Sequence, residues 1–378
     1  MIPLSRPDIT ELEKRRVNTV LDSSHISGGP VVKEFEQKLA DIAHTQYAVA
    51  VSSGTSALHL VMLSLGIGPG DEVITTPYSF IASANCILYV GAKPVFCDIS
   101  PIDLNIDPDQ IEAKITPNTK AILAVHVFGF PADLTKIHQI AEKYGIYVIE
   151  DACEAIGAKI NNQPVGGLGI AGTFAFYPNK QITTGEGGAI VTNDLSLAET
   201  IRSLANQGRA TDEQWLHHVR LGYNYRMSEI AAALGCAQME RISEVLLKRS
   251  VAAEWYHEDL RDEPLMVLPN TAMNTSTNVS WFVYVVRFCS PNLRQIVAEH
   301  LSRIDIQTRP YFPAIHLQPV YQNLFGFKEG DFPETERTSK TSLALPFFTK
   351  ITREQITEVS SQIKNILNLY RYNLEESK

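Results

Sequence analysis

The stretch FAFYPNKQITTGEGGAIVT, residues 174–192, holds a lysine in a polar turn between two apolar runs typical of strands. A lysine in a glycine-rich turn is most often a solvated surface residue. Its amine can also act as a nucleophile, because it forms a Schiff base with an aldehyde. Lys180 alone does not decide between these interpretations, so the groups that could act with it must be found elsewhere in the chain.

A candidate anion site lies in SSGTSAL, residues 52–58, which follows a strand pattern and begins a helical one. The N-terminus of a helix presents unpaired N–H groups and the positive end of the helix dipole, and both attract anions. Gly54 would let a phosphate approach the backbone, and the hydroxyls of Thr55 and Ser56 would add donors. An ordinary N-cap explains the same residues, so this segment alone establishes no phosphate site.

Two adjacent acids, Glu150 and Asp151, end the apolar run IYVIEDA. Side chains at the carboxyl ends of parallel strands face the crevice where ligands bind, although a helix cap or an ion pair would explain one acid equally well. Pyridoxal phosphate (PLP) needs a lysine, a phosphate site and an acid that keeps its ring nitrogen protonated. With Lys180 placed 29 residues after Asp151, the chain offers all three groups, and the combination favours a PLP enzyme.

The composition excludes several classes of protein. The 378 residues are 44% hydrophobic and carry a formal net charge of −9, which argues against nucleic acid or a membrane surface as a partner. No apolar run approaches the ~20 residues of a membrane span, and the first residues show no signal-peptide pattern. The five cysteines form no C-x-x-C pair, and His217 and His218 lack a third ligand nearby. We expect a cytoplasmic protein without a metal site.

Strand-like and helical segments alternate from about residue 30 to 155, which predicts a mostly parallel sheet covered by helices on both faces.

The segment GLGIAG, residues 167–172, fits a dinucleotide-binding pattern. A polar loop precedes it and a strand-like run follows it, so its context is wrong for that function. A long helical pattern spans residues 227–260. We predict a large domain over residues 1–248 and a small domain over residues 249–378.

Nine sequence blocks occur in order along the chain: PLSRPDI (3–9), ISGGPVVKEFE (26–36), AVSSGTSALHL (50–60), ITTPYSFIASAN (74–85), VHVFGFPADL (125–134), VIEDACEAIGA (148–158), FYPNKQITTGEGG (176–188), GYNYRMSEI (222–230) and ALPFF (344–348). In these blocks the chain resembles the DegT/DnrJ/EryC1/StrS family of PLP-dependent sugar aminotransferases over nearly its whole length. The resemblance implies an α/β fold like that of aspartate aminotransferase (PLP fold type I). Such a fold has a large domain with a mostly parallel seven-stranded sheet and a smaller C-terminal α+β domain.

The resemblance also implies roles for single residues. Lys180 would form the internal aldimine and then move the proton during amino transfer. Asp151 would pair with the ring nitrogen of the cofactor. Gly54 and Thr55 would hold its phosphate, and Phe80 would stack on its ring.

Asn224 matches an asparagine that reaches the phosphate from the neighbouring subunit, which implies a homodimer with shared active sites. Two positions depart from the common family pattern. Glu154 stands where a glutamine often contacts the ring-hydroxyl side of the cofactor, and a carboxylate there would repel a phenolate unless it is protonated or turned away. Ala175 replaces a phosphate-binding serine, which leaves the helix N-terminus, Asn224 and two further candidate donors, Thr173 and Arg226.

The resemblance implies that glutamate donates its amine to a nucleotide-linked keto-sugar. The segment NYRMSE favours members that aminate C4 of a 4-keto-6-deoxy sugar. C3 amination, sugar dehydration and a non-enzymatic regulatory role are the alternatives, although the retained lysine favours transamination. Candidate sugar-binding residues are Ser27, Gly28, Tyr311 and His316, and for His316 a packed histidine in a proline-rich loop is an equal alternative.

Overall fold

The structure, a computed structural model, describes residues 1–210, 216–269 and 277–376. The strands of the described residues are β1 (Tyr47–Val51), β2 (Glu72–Thr75), β3 (Lys93–Phe96), β4 (Thr119–Val125), β5 (Tyr147–Asp151), β6 (Lys159–Ile160), β7 (Gln163–Pro164), β8 (Ala171–Ala175), β9 (Gly188–Thr192), β10 (Met266–Val267), β11 (Tyr284–Phe288) and β12 (Ser342–Leu345). The α-helices are α1 (Glu11–Leu21), α2 (Pro30–Ala43), α3 (Gly54–Ser64), α4 (Ala82–Tyr89), α5 (Pro108–Ile111), α6 (Leu134–Tyr144), α7 (Leu195–Ala205), α8 (Glu229–Glu240), α9 (Ile242–Leu260), α10 (Pro291–Arg303), α11 (Pro319–Phe325), α12 (Pro333–Thr341) and α13 (Arg353–Glu376).

The predicted central sheet is confirmed. Seven strands lie in the order β1-β9-β8-β5-β4-β2-β3, and β9 runs antiparallel to both of its neighbours while the other pairs are parallel. Successive residues of a strand point to opposite faces. In β4, Ala121 and Leu123 pack into the core that holds α3 and α7, whereas Ile122 and Ala124 pack into the core beneath α6. Both faces of the sheet are therefore buried, which explains the nearly continuous apolar runs.

The two acids at the end of β5 face different surroundings. Glu150 is fully buried and accepts a hydrogen bond from His126 Nε2 at 3.1 Å; because His126 Nδ1 accepts the N–H of Ala132, the ring proton is assigned to Nε2. Burial acts to raise the pKa of Glu150, but these hydrogen bonds hold it below its ordinary value. Further N–H donors to Glu150 come from Gly166, Leu168 and Gly169. The glycine-rich segment therefore wraps around a buried carboxylate of its own chain.

The long helical pattern over residues 227–260 is divided into two helices, so the prediction of one helix is wrong. The break is at Arg241, whose φ of −108° and ψ of 5° are not helical. Its guanidinium donates to Asp8 Oδ2 at 2.7 Å and to Glu13 Oε1 at 2.9 Å, both in the N-terminal segment. These long-range ion pairs hold a kink that the local helical pattern does not reveal.

The C-terminal region builds a three-stranded antiparallel sheet in the order β10-β11-β12, which packs against α10 and α12 and shares a hydrophobic core with α9 and α13. Trp281, predicted as core, is buried and stacks on Tyr284 with ring centroids 5.7 Å apart. The same core continues to Tyr78 and Val125 of the large sheet region. The domain boundary after residue 248 falls inside α9 and stays a prediction.

None of the helices in the described residues is long and apolar enough to cross a membrane.

Gly129 joins the two regions at a close backbone contact. Its φ is +92°, and a Cβ built on it would lie 1.7 Å from the carbonyl oxygen of Ser280. Gly145, at the C-terminal end of α6, also has positive φ (+66°), but a Cβ there would meet nothing within 4 Å. Comparing the two glycines therefore distinguishes the cost of a left-handed backbone from the cost of a steric clash.

We predict that Gly129→Ala lowers the free energy of unfolding by about 3 kcal/mol or more, because strain and overlap add. Gly145→Ala should cost only about 1 kcal/mol, the cost of the left-handed backbone alone. Urea unfolding of both variants measures the difference. Equal losses would show that the contact between Gly129 and Ser280 does not constrain the fold.

Candidate active site

A cavity of about 700 Å³ opens where the carboxyl ends of the central strands face the C-terminal segment 309–313. Seven residues that were proposed from the sequence line it together: Gly54, Thr55, Phe80, Asp151, Glu154, Lys180 and Tyr311. The strand order explains this convergence, since parallel strands end at one edge of a sheet. The lysine, the acid and the helix N-terminus therefore share one site.

Lys180 is not a solvated surface lysine. It lies in the turn between the antiparallel strands β8 and β9, and its side chain is only 12% exposed. The ammonium nitrogen lies 3.3 Å from Glu154 Oε1 and 4.0 Å from the centroid of the Phe282 ring. A cation between a carboxylate and an aromatic face is stabilised by both groups. These contacts hold the Nζ atom inside the cavity.

Asp151 presents its carboxylate to the same cavity. Its Oδ2 accepts a hydrogen bond from Ser83 Oγ at 2.7 Å, and its Oδ1 accepts the N–H of Cys153 at 3.2 Å. The residue is 5% exposed, so these donors satisfy a carboxylate that water hardly reaches. Its orientation is thus set by the protein.

The candidate anion site lies at the first turn of helix α3, as the sequence predicts. Ser53 is the N-cap, and its hydroxyl accepts the N–H of Ser56 at 3.0 Å. The N–H groups of Gly54 and Thr55 precede the first intrahelical hydrogen bonds, and both residues line the cavity. A Cβ on Gly54 would lie 2.7 Å from the Cβ of Ala175, so packing alone already requires a glycine here.

Two residues that were considered as replacements for the serine missing at Ala175 lie outside the cavity lining. Thr173 is fully buried, and its hydroxyl donates to the carbonyl of Glu150 at 3.3 Å. Arg226 lines an adjoining groove and donates to Asn206 and Gln207. Of the candidate phosphate donors named from the sequence on this chain, the α3 N-terminus lies on the cavity wall, whereas Thr173 and Arg226 do not.

Glu154 is turned so that its two oxygens have different partners. Oε2 accepts the N–H of Phe128 at 2.9 Å, and Oε1 faces Lys180. Burial raises the pKa of the Glu154 carboxyl above its ordinary value, although the Lys180 ammonium opposes this shift. Phe128 has a left-handed backbone (φ +59°), which is costly for a bulky residue, and the hydrogen bond to Glu154 supports it.

The sequence and fold comparisons agree with this geometry. The model of the DegT/DnrJ/EryC1/StrS aminotransferase family matches residues 7–364. The chain belongs to this family. It is a PLP-dependent sugar aminotransferase.

Similar proteins cover almost the whole chain. The GDP-perosamine synthase of Escherichia coli O157:H7 is 38% identical over 363 residues, which are 96% of this chain and 97% of that protein. The pleiotropic regulatory protein of Geobacillus stearothermophilus is 39% identical over 361 residues, 95% of this chain and 94% of that protein. The solved structure of DesV from S. venezuelae matches with a TM-score of 0.90 at 33% identity, covering 97% of this chain and 98% of DesV.

The residues present fit PLP. The first-turn N–H groups of Gly54 and Thr55 would hold its phosphate. The carboxylate of Asp151 would pair with the ring nitrogen, and the buried amine of Lys180 would bond to the aldehyde carbon. Phe80, 59% exposed on the cavity wall, offers an aromatic face for the ring. The roles of the individual residues stay predictions.

Three of the proposed residues are exposed and lie outside the cavity lining of their own chain. Ser27 and Gly28 belong to an exposed turn, where Ser27 forms an isolated bridge with Ser228. Asn224 is also exposed and forms a bridge with Asn206. This placement leaves all three available only to a neighbouring molecule or to a substrate that extends beyond the cavity.

The structure corrects the proposal that His316 contacts the sugar. The residue is fully buried, its Nε2 lies 3.1 Å from Glu336 Oε1, and its ring packs edge-on to Phe332. Burial lowers the pKa of His316, which Glu336 opposes. The packed-histidine alternative describes this residue.

Several residues on the cavity wall were not identified from the sequence: Tyr177, Asn179, Glu186, Phe282 and Arg309. Arg309 carried a detectable signal, because it stands in the same proline-aromatic stretch as Tyr311. Nothing in the sequence indicates a role for Phe282, because it belongs to an apolar run that predicts a buried core strand. Only the tertiary contact between its ring and Lys180 shows its position in the site.

We predict that Lys180→Ala abolishes covalent attachment of PLP while the fold persists. Borohydride reduction of the PLP-treated wild type, followed by peptide mass spectrometry, should find the added pyridoxyl mass on the peptide that holds Lys180. The control Lys136→Ala, at an exposed lysine, should label as the wild type does. Labelling of another lysine in Lys180→Ala at wild-type yield would refute the assignment.

Proposed function

We propose that this aminotransferase moves the amino group of glutamate to C4 of a nucleotide-linked 4-keto-6-deoxy sugar, for amino-sugar biosynthesis. The observation that carries the proposal is the convergence of Lys180, Asp151 and the α3 N-terminus on one open cavity. A volume of about 700 Å³ leaves room for a substrate beside a cofactor.

The choice of C4 is supported by the relatives. Besides the E. coli protein, the GDP-perosamine synthases of Caulobacter vibrioides and Vibrio cholerae are 38% and 34% identical to this chain. These names stand for 4-amination of a nucleotide sugar. The segment NYRMSE of this chain favours the same position.

The reaction divides between the cofactor and the protein. When bound, PLP supplies an aldehyde that accepts an amine and a ring that withdraws electrons from the neighbouring carbon. The Asp151 carboxylate holds a proton on the ring nitrogen, which sustains that withdrawal. During amino transfer, Lys180 Nζ would act as the base that takes a proton from one carbon atom and as the acid that delivers it to a second carbon atom. The Phe282 ring, 4.0 Å from Nζ, keeps water from that side of the amine, so that the proton is not lost.

Arg309 is the second cation on the cavity wall among the described residues. Its Nη1 donates to the carbonyl of Thr308, and the residue is exposed at the small-domain side of the cavity. A guanidinium binds carboxylates and phosphates in a bidentate manner. We infer that Arg309 binds an anionic group of the substrates that enter from this side.

C3 amination and sugar dehydration remain the alternatives within the same chemistry. Dehydrating relatives replace the lysine by histidine, and Lys180 is retained here, so transamination is favoured. One relative is named a pleiotropic regulatory protein. The buried Lys180 and Asp151 support an enzyme, because a regulator would not need a proton-transferring amine in its cavity.

The shared site of a homodimer is part of the proposal. Asn224 is exposed and lies outside the cavity of its own chain, as expected for a residue that serves a neighbour. The segment before it exposes large apolar side chains: Leu216, Val219 and Leu221. Exposed apolar side chains that cluster are typical of an interface between protein chains, and these three lie within six residues of the chain.

We predict that, with glutamate as donor, the wild type converts 4-keto-6-deoxy nucleotide sugars and leaves 3-keto isomers unchanged. Keto-sugars linked to guanosine, uridine or thymidine diphosphate are compared to identify the preferred nucleotide. Mass spectrometry and NMR of the products locate the new amine. Aspartate and alanine are the donor controls. Amination of a 3-keto isomer, or loss of water without amine gain, would contradict the proposal.

We further predict complementation between two inactive variants. Lys180→Ala and Asn224→Ala should each lose most activity alone. In a mixed dimer, the site that keeps Lys180 receives an intact Asn224 from its partner. Random exchange of subunits should restore about a quarter of wild-type activity. If Asn224 serves its own chain, mixing restores none.

A further inference from the structure

Lys180 and Glu154 form a buried ion pair inside the active-site cavity. The distance from Nζ to Oε1 is 3.3 Å, and the side chain of Glu154 is 8% exposed. In the described part of the chain, Glu154 is the acidic residue that pairs with Lys180. The carboxylate therefore lies within hydrogen-bond reach of the ammonium protons.

The rest of the environment restricts where an ammonium proton can go. The Phe282 ring covers Lys180 Nζ at 4.0 Å and offers no acceptor for a transferred proton. Glu154 Oε2 is held by the N–H of Phe128, which leaves Oε1 for the lysine. The N–H of Phe282 donates to the carbonyl of Phe128 at 3.3 Å. Phe128 therefore connects Phe282 with Glu154, the two residues that contact the Lys180 amine.

The amine must lose a proton before its lone pair can bond to an aldehyde carbon. We propose that Glu154 is the proton acceptor of Lys180: an N–H bond at Nζ breaks, an O–H bond forms at Oε1, and the proton returns by the reverse path. The step needs no other reactant, and it turns an ammonium and a carboxylate into an amine and a carboxylic acid. Because two buried charges disappear, the exchange avoids their desolvation cost.

The charges that face Glu154 favour this exchange. Burial is the main cause that raises the pKa of Glu154, and the neighbouring Asp151 carboxylate raises it further. Lys180 opposes them. Tyr78, Tyr311 and Cys153 also lie near the pair, and burial raises the pKa of each, so they stay neutral near pH 7. Arg309 and Glu186 are the other charged side chains that line the cavity in the described part of the chain. A neutral Glu154 also no longer repels a phenolate oxygen, which resolves the conflict that a carboxylate creates at this position.

Glu154→Gln tests the proposal, because an amide keeps the shape and can still accept the N–H of Phe128, but it cannot take the proton. Apoenzyme is mixed with PLP, and the rate constant of Schiff-base formation is followed by absorbance between pH 6 and 9. This assay needs neither glutamate nor sugar, so its outcome is independent of the proposed substrate.

For Glu154→Gln we expect the rate constant at neutral pH to fall on the order of 100-fold, the usual worth of a positioned base. It should then rise about tenfold per pH unit, because hydroxide must remove the proton. The wild type should depend far less on pH. A variant that loads at the wild-type rate, or that loses the same factor at every pH, would overturn the proposal, since the latter indicates only a structural role.

Glu36→Gln is the matched control. Glu36 is also 8% exposed in its side chain, accepts a backbone N–H (Ala50) and pairs with a cation (Arg202), but it lies outside the cavity. It should load PLP as the wild type does, and circular dichroism checks the fold of each variant.

If Glu154→Gln is unstable, Glu154→Ala with added formate replaces it. Recovery by formate but not by formamide supports the proposal, and no recovery overturns it.

Discussion

Strand β5 ends in two carboxylates on opposite faces of the sheet, and the site depends on both being satisfied with little help from water. Glu150 keeps its charge although it is fully buried, because His126 and three backbone N–H groups donate hydrogen bonds to it. That arrangement fixes the glycine-rich loop and the start of β8. Asp151, one residue further, is then held toward the cavity by Ser83. A buried carboxylate without such partners would cost several kcal/mol or lose its charge.

The second constraint is the joint between the two regions of the chain. Gln181, next to Lys180, donates to the carbonyls of Glu154 and Ser280. Gly129 permits the close backbone contact with Ser280, and Arg249, which is buried, donates to the carbonyls of Trp281 and Phe282. The segment that brings Phe282 over Lys180 is thus tied to both regions. The position of the lysine amine depends on this joint as much as on the turn that carries it.

Much of the fold followed from local patterns. The alternation of strand and helix predicts the parallel sheet, because buried strands and amphipathic helices each have their own period. The lysine-centred turn lies between two strands, as the pattern predicts, and the α3 N-terminus, Asp151 and Lys180 line one cavity. Local patterns failed where a distant partner decides the outcome. Arg241 divides a continuous helical pattern through ion pairs with Asp8 and Glu13. For His316 the sequence left ligand contact and packing equally open, and its contact with Phe332 is one of packing.

The sequence by itself determined the class of chemistry, since a lysine, an acid and a helix N-terminus in family blocks specify PLP-dependent amino transfer. Tertiary structure decided how the amine is held. Glu154 was a doubtful substitution in the sequence, and the fold turns it toward Lys180. Phe282 was part of an apolar run, and the fold lays its ring on the ammonium. The reason is physical: the charge state and mobility of a buried amine depend on groups within a few ångströms, and chain folding alone brings these together.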